Sequence, residues 1–176
     1  MKVIEKIFDK AVLFELDKHY DERGYFTEMY SSKNYGDFIP TNFVQDNISY
    51  SKKNVLRGLH FQIENPQGKL IYPIKGEIFD VIVDIDKNSK TFGQYFSILL
   101  SAVNNLQLWV PPGFAHGFCV TSNDALIIYK CTDFYNPRSE KTIIWNDNDL
   151  NIKWPNDKFI ISKKDRIGKN FSEVFW

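Results

Sequence analysis

The chain has 176 residues, and 22 Lys and Arg balance 22 Asp and Glu, so its formal net charge is zero. That length suits one domain spanning 1–176, able to bury roughly two-thirds of its unfolded surface without a metal or disulfide staple. A hydrophobic content of 43% excludes a disordered chain. The charge balance removes the general electrostatic case for nucleic acid or an anionic membrane as partner, though a local basic pocket stays open.

From the N-terminus, MKVIEKIFDK spreads charges over Lys2, Glu5, Lys6, Asp9 and Lys10, and no signal-peptide apolar stretch fits between them. A short helix is expected near residues 32–38. Short β-like runs then follow at 56–62, 69–74, 77–85, 94–100, 106–110, 117–121 and 125–131. In 77–85 the residues alternate, with Phe79, Val81, Val83 and Ile85 on one face and Asp80 and Asp84 on the other. Lys75-Gly76 reads as a hairpin-type turn leading into that run, and Pro111-Pro112-Gly113, Asn123-Asp124 and Asn136-Pro137 read as further turns.

Residues 91–123 contain no Asp, Glu, Lys or Arg, but Asn104, Asn105, Gln107, Pro111, Pro112, Gly113 and His116 interrupt them. No run of about 20 apolar residues survives to span a membrane. Cys119 and Cys131 sit in apolar strand-like runs, where free cysteine packs as a small hydrophobe. The reading is a soluble cytoplasmic protein. Many short strands and 28 aromatic residues (4 Trp, 9 Tyr, 15 Phe) point to an all-β sandwich or barrel whose mouth can hold a ligand.

The chemistry lies where polar residues enter apolar strands. Strand alternation puts His60 and Gln62 on one face with Leu56 and Gly58, an arrangement that suits a ligand better than a core. His116 follows a Pro-Pro-Gly turn and stands among apolar neighbours. Taken singly, each histidine is more simply a buried ring satisfied by backbone; two in β context favour a site. His60 and His116 lack the thiolate or carboxylate set of a transition-metal shell, and Gln62 stands where a second ligand histidine would be, so no metal is expected.

Acid–base work needs a base, an acid and a group to hold developing negative charge. Imidazole is the side chain whose unperturbed pKa lies near neutrality, so His60 can be the base, with Asp165 as a candidate orienting carboxylate. Tyr129 is a phenol inside an apolar strand, able to return a proton, although ordinary aromatic packing would explain it too. Lys69 could face an oxyanion or be a solvated edge lysine. There is no Gly-rich phosphate loop, so diphosphate binding would fall to scattered cations such as Arg23 and Arg57, each followed by Gly.

These blocks together resemble a known family. Asp21-Glu22-Arg23-Gly24-Tyr25-Phe26, Phe43-Val44-Gln45-Asp46-Asn47, Val55-Leu56-Arg57-Gly58-Leu59-His60-Phe61-Gln62, Pro66-Gln67-Gly68-Lys69-Leu70, Gly113-Phe114-Ala115-His116-Gly117-Phe118 and Tyr129-Lys130-Cys131-Thr132-Asp133 occur in order, and the match continues to 162–165. The chain is similar to the dTDP-4-dehydrorhamnose 3,5-epimerases, cupin jelly rolls of nucleotide-sugar metabolism that use no cofactor.

The resemblance implies one cupin-like epimerase domain that inverts C3 and C5 of dTDP-4-dehydro-6-deoxy-D-glucose by enolisation beside the C4 ketone. His60 with Asp165 would remove protons, Tyr129 would deliver one to the opposite face, and Lys69 with His116 would steady the enolate oxygen. Arg23, Glu28, Gln45, Asp46, Asn47, Arg57, Glu140 and Lys164 match positions that hold the nucleotide sugar, and Tyr135 matches an aromatic that stacks on thymine. A homodimer with exchanged N-terminal segments is implied, with Arg23, Phe26 and Glu28 serving the partner's site. A C3-only epimerase, a 3,4-ketoisomerase and a non-catalytic sugar-binding cupin are the competing readings.

Overall fold

The structure, a computed structural model, describes residues 1–174. Its first strands, β1 (Lys2–Ile7) and β2 (Ala11–Glu15), form an antiparallel pair. A separate two-stranded hairpin follows, β3 (His19–Asp21) with β4 (Gly24–Phe26), and then one turn of helix, α1 (Ser32–Tyr35). The helix is shorter than the sequence suggests because a single apolar side chain in it, Tyr35, is buried.

The barrel strands are β5 (Gln45–Lys52), β6 (Val55–Gln62), β7 (Lys69–Lys75), β8 (Glu77–Asp84), β9 (Tyr95–Ser101), β10 (Leu106–Val110), β11 (Phe114–Val120) and β12 (Asp124–Cys131). Beyond them come β13 (Glu140–Thr142), β14 (Ile160–Ile161) and the short helix α2 (Lys163–Arg166). The first sheet runs β1-β2-β10-β7-β12-β5, and the second runs β13-β6-β11-β8-β9 with β14 beside β6. Successive strands repeatedly change sheets, the jelly-roll habit expected of an all-β cupin.

Alternation is the reason three apolar layers exist. Ile71, Ile78, Ile82, Leu108, Phe118 and Ile127 meet between the sheets. Odd and even neighbours from the same strands cover the outer faces: Leu70, Tyr72 and Trp109 pack under Tyr35 and Ile39, while Leu59, Phe61, Val81 and Val83 pack under Ile143, Leu150 and Val174. Both sheets are therefore clad on both sides, so apolar residues occupy both faces of β8 and Asp80 and Asp84 face inward, fully buried.

Two local expectations change. Lys75-Gly76 does not close a hairpin, since β7 and β8 belong to different sheets. Gly76, at φ +75°, turns the chain from one sheet to the other, and a Cβ there would lie 2.0 Å from the Asp124 carbonyl oxygen. The second change is in β6. Its register against β11 slips between the His60–His116 and Arg57–Phe118 pairs. Gly58 fills that irregularity at φ +122°, where a Cβ would lie 2.5 Å from the Gly117 Cα. The slip places Val55 against the inner core and Leu59 and Phe61 on the outer side, while Arg57 and His60, three residues apart, line one cavity. Strict alternation had put Arg57 and His60 on opposite faces.

Candidate active site

The cavity between the sheets has a volume of about 240 Å³. Its lining includes Arg57 and His60 from β6, Lys69 from β7, His116 from β11 and Tyr129 from β12. The β-ladders set these positions: His60 and His116 are directly paired across β6 and β11, and Tyr129 is paired with Ile71 across β12 and β7. His60 and Tyr129 thus stand on opposite sheets, facing one space.

His60 Nε2 lies 2.6 Å from Asp165 Oδ1. Asp165 is buried on α2, whose N-cap Ser162 accepts a bond from the Asp165 backbone N–H, and the Gly58 N–H lies 3.5 Å from the second carboxylate oxygen. Burial opposes its ionisation, but the His60 bond and charge, with Gly58 and Ser162, outweigh it and hold the carboxyl below its usual range. A buried anion beside a histidine fixes the ring's orientation and raises its basicity.

Burial pushes the Tyr129 phenol upward, which keeps its proton on at neutral pH. Burial pulls the Lys69 ammonium downward, opposed by the charges of Cys131, Glu140 and Asp80. Lys69 is half-buried in the cavity wall and is not a solvated edge lysine. His116 Nε2 lies 2.8 Å from Asp80 Oδ2, a pairing absent from the sequence reading. The available signal was a carboxylate sharing an alternating face with Ile78 and Ile82.

At the mouth, Tyr135 donates its hydroxyl to Glu140 Oε2 at 2.7 Å, and Lys164 Nζ reaches the same oxygen at 2.7 Å. Burial raises Glu140, but those two bonds and the charges of His60 and Lys164 bring it below its usual value. The Glu140 bond pushes the Tyr135 phenol up to about 12. Arg57 Nε donates to Ser51 Oγ at 2.9 Å, Gln45 donates to Asn47, and Asn47 donates to Cys131 Sγ.

Not every expected residue converges here. Gln62 does not present its amide to a ligand: its Nε2 donates to the Asn65 and Phe134 carbonyls and its oxygen accepts from the Asn136 N–H, so it clamps a loop. Asp46 is exposed and bonded to Lys130, alternating away from the cavity-lining Ser49. Arg23, Phe26 and Glu28 lie on or beside the β3–β4 hairpin and outside the cavity; Arg23 pairs with Asp21, and Glu28 accepts from Asn34. Among the described residues, no group of three or more His, Cys, Asp or Glu side chains is placed to hold a metal ion.

A jelly-roll barrel holding a histidine–carboxylate pair opposite a buried phenol, with a lysine and a second histidine in the same cavity, belongs to the cupin-type sugar-nucleotide epimerases. The family model for dTDP-4-dehydrorhamnose 3,5-epimerase matches residues 5–173, and the chain belongs to that family. It is 47% identical over 177 aligned positions to the dTDP-4-dehydrorhamnose 3,5-epimerase of Pseudomonas aeruginosa, covering 99% of this chain and 98% of the relative. Among solved structures it resembles the Legionella pneumophila dTDP-6-deoxy-D-glucose-3,5-epimerase in complex with dTDP-4-keto-L-rhamnose, with a TM-score of 0.95, 44% identity and coverage of 98% and 94%. A 3'-monoepimerase from Streptomyces bikiniensis, in complex with dTDP-quinovose, aligns with a TM-score of 0.87 at 28% identity, covering 93% of this chain and 84% of that one. No helix among the described residues is long and apolar enough to cross a membrane.

Proposed function

We propose that the protein converts dTDP-4-dehydro-6-deoxy-D-glucose to dTDP-4-dehydro-L-rhamnose, inverting C3 and C5 in turn. The observation that carries this reading is the placement of His60 and Tyr129 on opposite sheets around one cavity. A C–H bond beside the C4 ketone is acidic because the electron pair left behind moves onto the ketone oxygen as an enolate. His60 takes that proton, with Asp165 holding the ring. Lys69 and His116 stand in the same cavity as hydrogen-bond donors for the enolate oxygen, where a preorganised donor is worth most. Inversion requires the new proton to arrive on the other face, and Tyr129 supplies it from the far wall. The resulting imidazolium and phenolate reset by proton exchange with water before the second carbon reacts.

Arg57 and Lys164 near the mouth suit the diphosphate, with Gln45 and Asn47 beside them, and Tyr135 offers a half-exposed ring to a base. The β3–β4 hairpin completes this region by crossing to a second copy. Tyr20 and Phe26 on it are 71% and 70% exposed, and Ile48 and Tyr50 on the outer face of edge strand β5 are also exposed. So much uncovered aromatic and aliphatic surface fits a homodimer in which Arg23, Phe26 and Glu28 serve the partner's site. Double epimerisation is favoured by the 44–47% identity to 3,5-epimerases against 28% to the monoepimerase.

Incubation with dTDP-4-dehydro-6-deoxy-D-glucose in D2O, without a reductase, tests the reading. The expected result is enzyme-dependent deuterium at both C3 and C5. Label at C3 alone would replace it with a single epimerisation.

A further inference from the structure

Four aspartates are nearly or fully buried: Asp80, Asp84, Asp147 and Asp165. Removing a carboxylate from water is costly, so each requires an account. Asp84 accepts the hydroxyls of Ser89 and Thr91 and the Asp86 N–H, which ties down the loop after β8. Asp147 accepts the backbone N–H groups of Asp149, Leu150 and Phe171, which ties two stretches of the C-terminal segment to each other. Asp165 orients the proposed base. Asp80 holds no loop: its one bond goes to His116, and its Oδ1 has no partner among the described residues.

The contact is built into the sheet. In the pairing of β8 with β11, His116 faces Ile82 and Asp80 faces Phe118, so the two side chains are diagonal neighbours on the inner face. Asp80 takes Nε2, and Nδ1 of His116 has no hydrogen bond to the described residues. A neutral ring that donates Nε2–H to Asp80 would offer the cavity a lone pair at Nδ1, which repels an enolate oxygen. A ring with both nitrogens protonated donates in both directions at once. The carboxylates of the two histidine pairs differ in the way this requires. The Asp165 carboxylate faces the Gly58 N–H as well as its histidine, whereas Asp80 meets a single donor.

We propose that Asp80 is a positioning residue that keeps His116 as a doubly protonated imidazolium whose Nδ1–H is available to the enolate oxygen, while His60, paired with Asp165, rests as the neutral base. The proposal rests on the epimerase reading for its chemistry. The charge of Asp80 also favours the cationic form of nearby Lys69.

The test uses Asp80→Asn, nearly isosteric and uncharged. Ring-nitrogen NMR of histidine-labelled protein at pH 7, with the His116 signals assigned from a His116→Gln sample, is expected to show two protonated nitrogens on His116 and a neutral ring on His60. In Asp80→Asn the His116 signals become those of a neutral ring. With the epimerase substrate, kcat falls about 10- to 100-fold while KM stays within about 3-fold. A neutral His116 in the wild type overturns the proposal whatever the activity, which separates its failure from failure of the epimerase assignment. Unchanged kcat in the variant overturns it too. Failure of Asp80→Asn to fold, read from its melting temperature, would assign Asp80 a folding duty instead and equally overturn it.

Discussion

The cavity and the β3–β4 hairpin are finished in different ways. Arg57, His60, Lys69, His116 and Tyr129 come from strands hydrogen-bonded on both sides, with apolar layers over each sheet. The hairpin pairs only with itself, and its link back to the chain runs through Thr27 Oγ1 on the Asp17 carbonyl and Lys18 over the Tyr25 ring at 4.4 Å. An isolated pair of three-residue strands is marginal in water. In the proposed dimer this contrast becomes a division of labour: one chain would position the reacting carbons, and a second would finish recognition of the nucleotide.

The largest effect is expected inside the cavity. His60→Ala removes the proposed base and should lower kcat by about 10³-fold or more, with a lowered melting temperature because buried Asp165 loses its partner while the fold is kept. Full activity in that variant would end the assignment. On the hairpin, Arg23→Ala should raise KM about 10-fold and leave kcat nearly unchanged, since the proposed role is to bind the nucleotide and not the reacting atoms. Mixing the two variants sharpens the comparison. If each site draws His60 from one chain and Arg23 from the other, random pairing rebuilds about a quarter of the wild-type sites, measured at low substrate. Recovery absent from the mixture, with exchange of subunits shown, would place each site within one chain.

The smallest effect concerns acid. Asp165 sits below its ordinary value of 3.8 in the fold, so it contributes stability that is complete above the unfolded value and is lost as pH falls through the lower folded one. Asp165→Asn should therefore lose less melting temperature than wild type below about pH 4. Parallel curves for the two proteins would show that the pair adds nothing to the fold.

Much of the cavity was legible in the chain. His60, Tyr129 and Lys69 are polar intrusions in runs of Val, Ile and Leu, and the strand spans at 69–74, 106–110 and 125–131 lie within or match the observed β7, β10 and β12. The rest depended on tertiary relations. Gly58 marks a register slip that only its partner strand reveals, so Arg57 joined His60 against strict alternation. Gly76 looks the same in sequence whether it closes a hairpin or crosses between sheets. Gln62 has a ligand-like position, but its amide is consumed by backbone groups around residues 65 and 134–136. Asp80 alternates correctly, yet its importance appears only once His116 is laid beside it.

The attachment of Asp165 carries a separate consequence. Arg57, His60, Lys69, His116 and Tyr129 are set in the barrel, whereas this carboxylate arrives on a four-residue helix from the peripheral segment that clads the second sheet. Shape and reactivity are therefore inherited from different parts of the chain. On the proposed function, the strands form a mould for a sugar, and a peripheral piece supplies the carboxylate that orients the proton-abstracting ring. Shifts in the packing of residues 143–174 would tune the strength of the base with the mould untouched. A lineage could in this way drift from enzyme to binder, or back, without redrawing a single barrel strand.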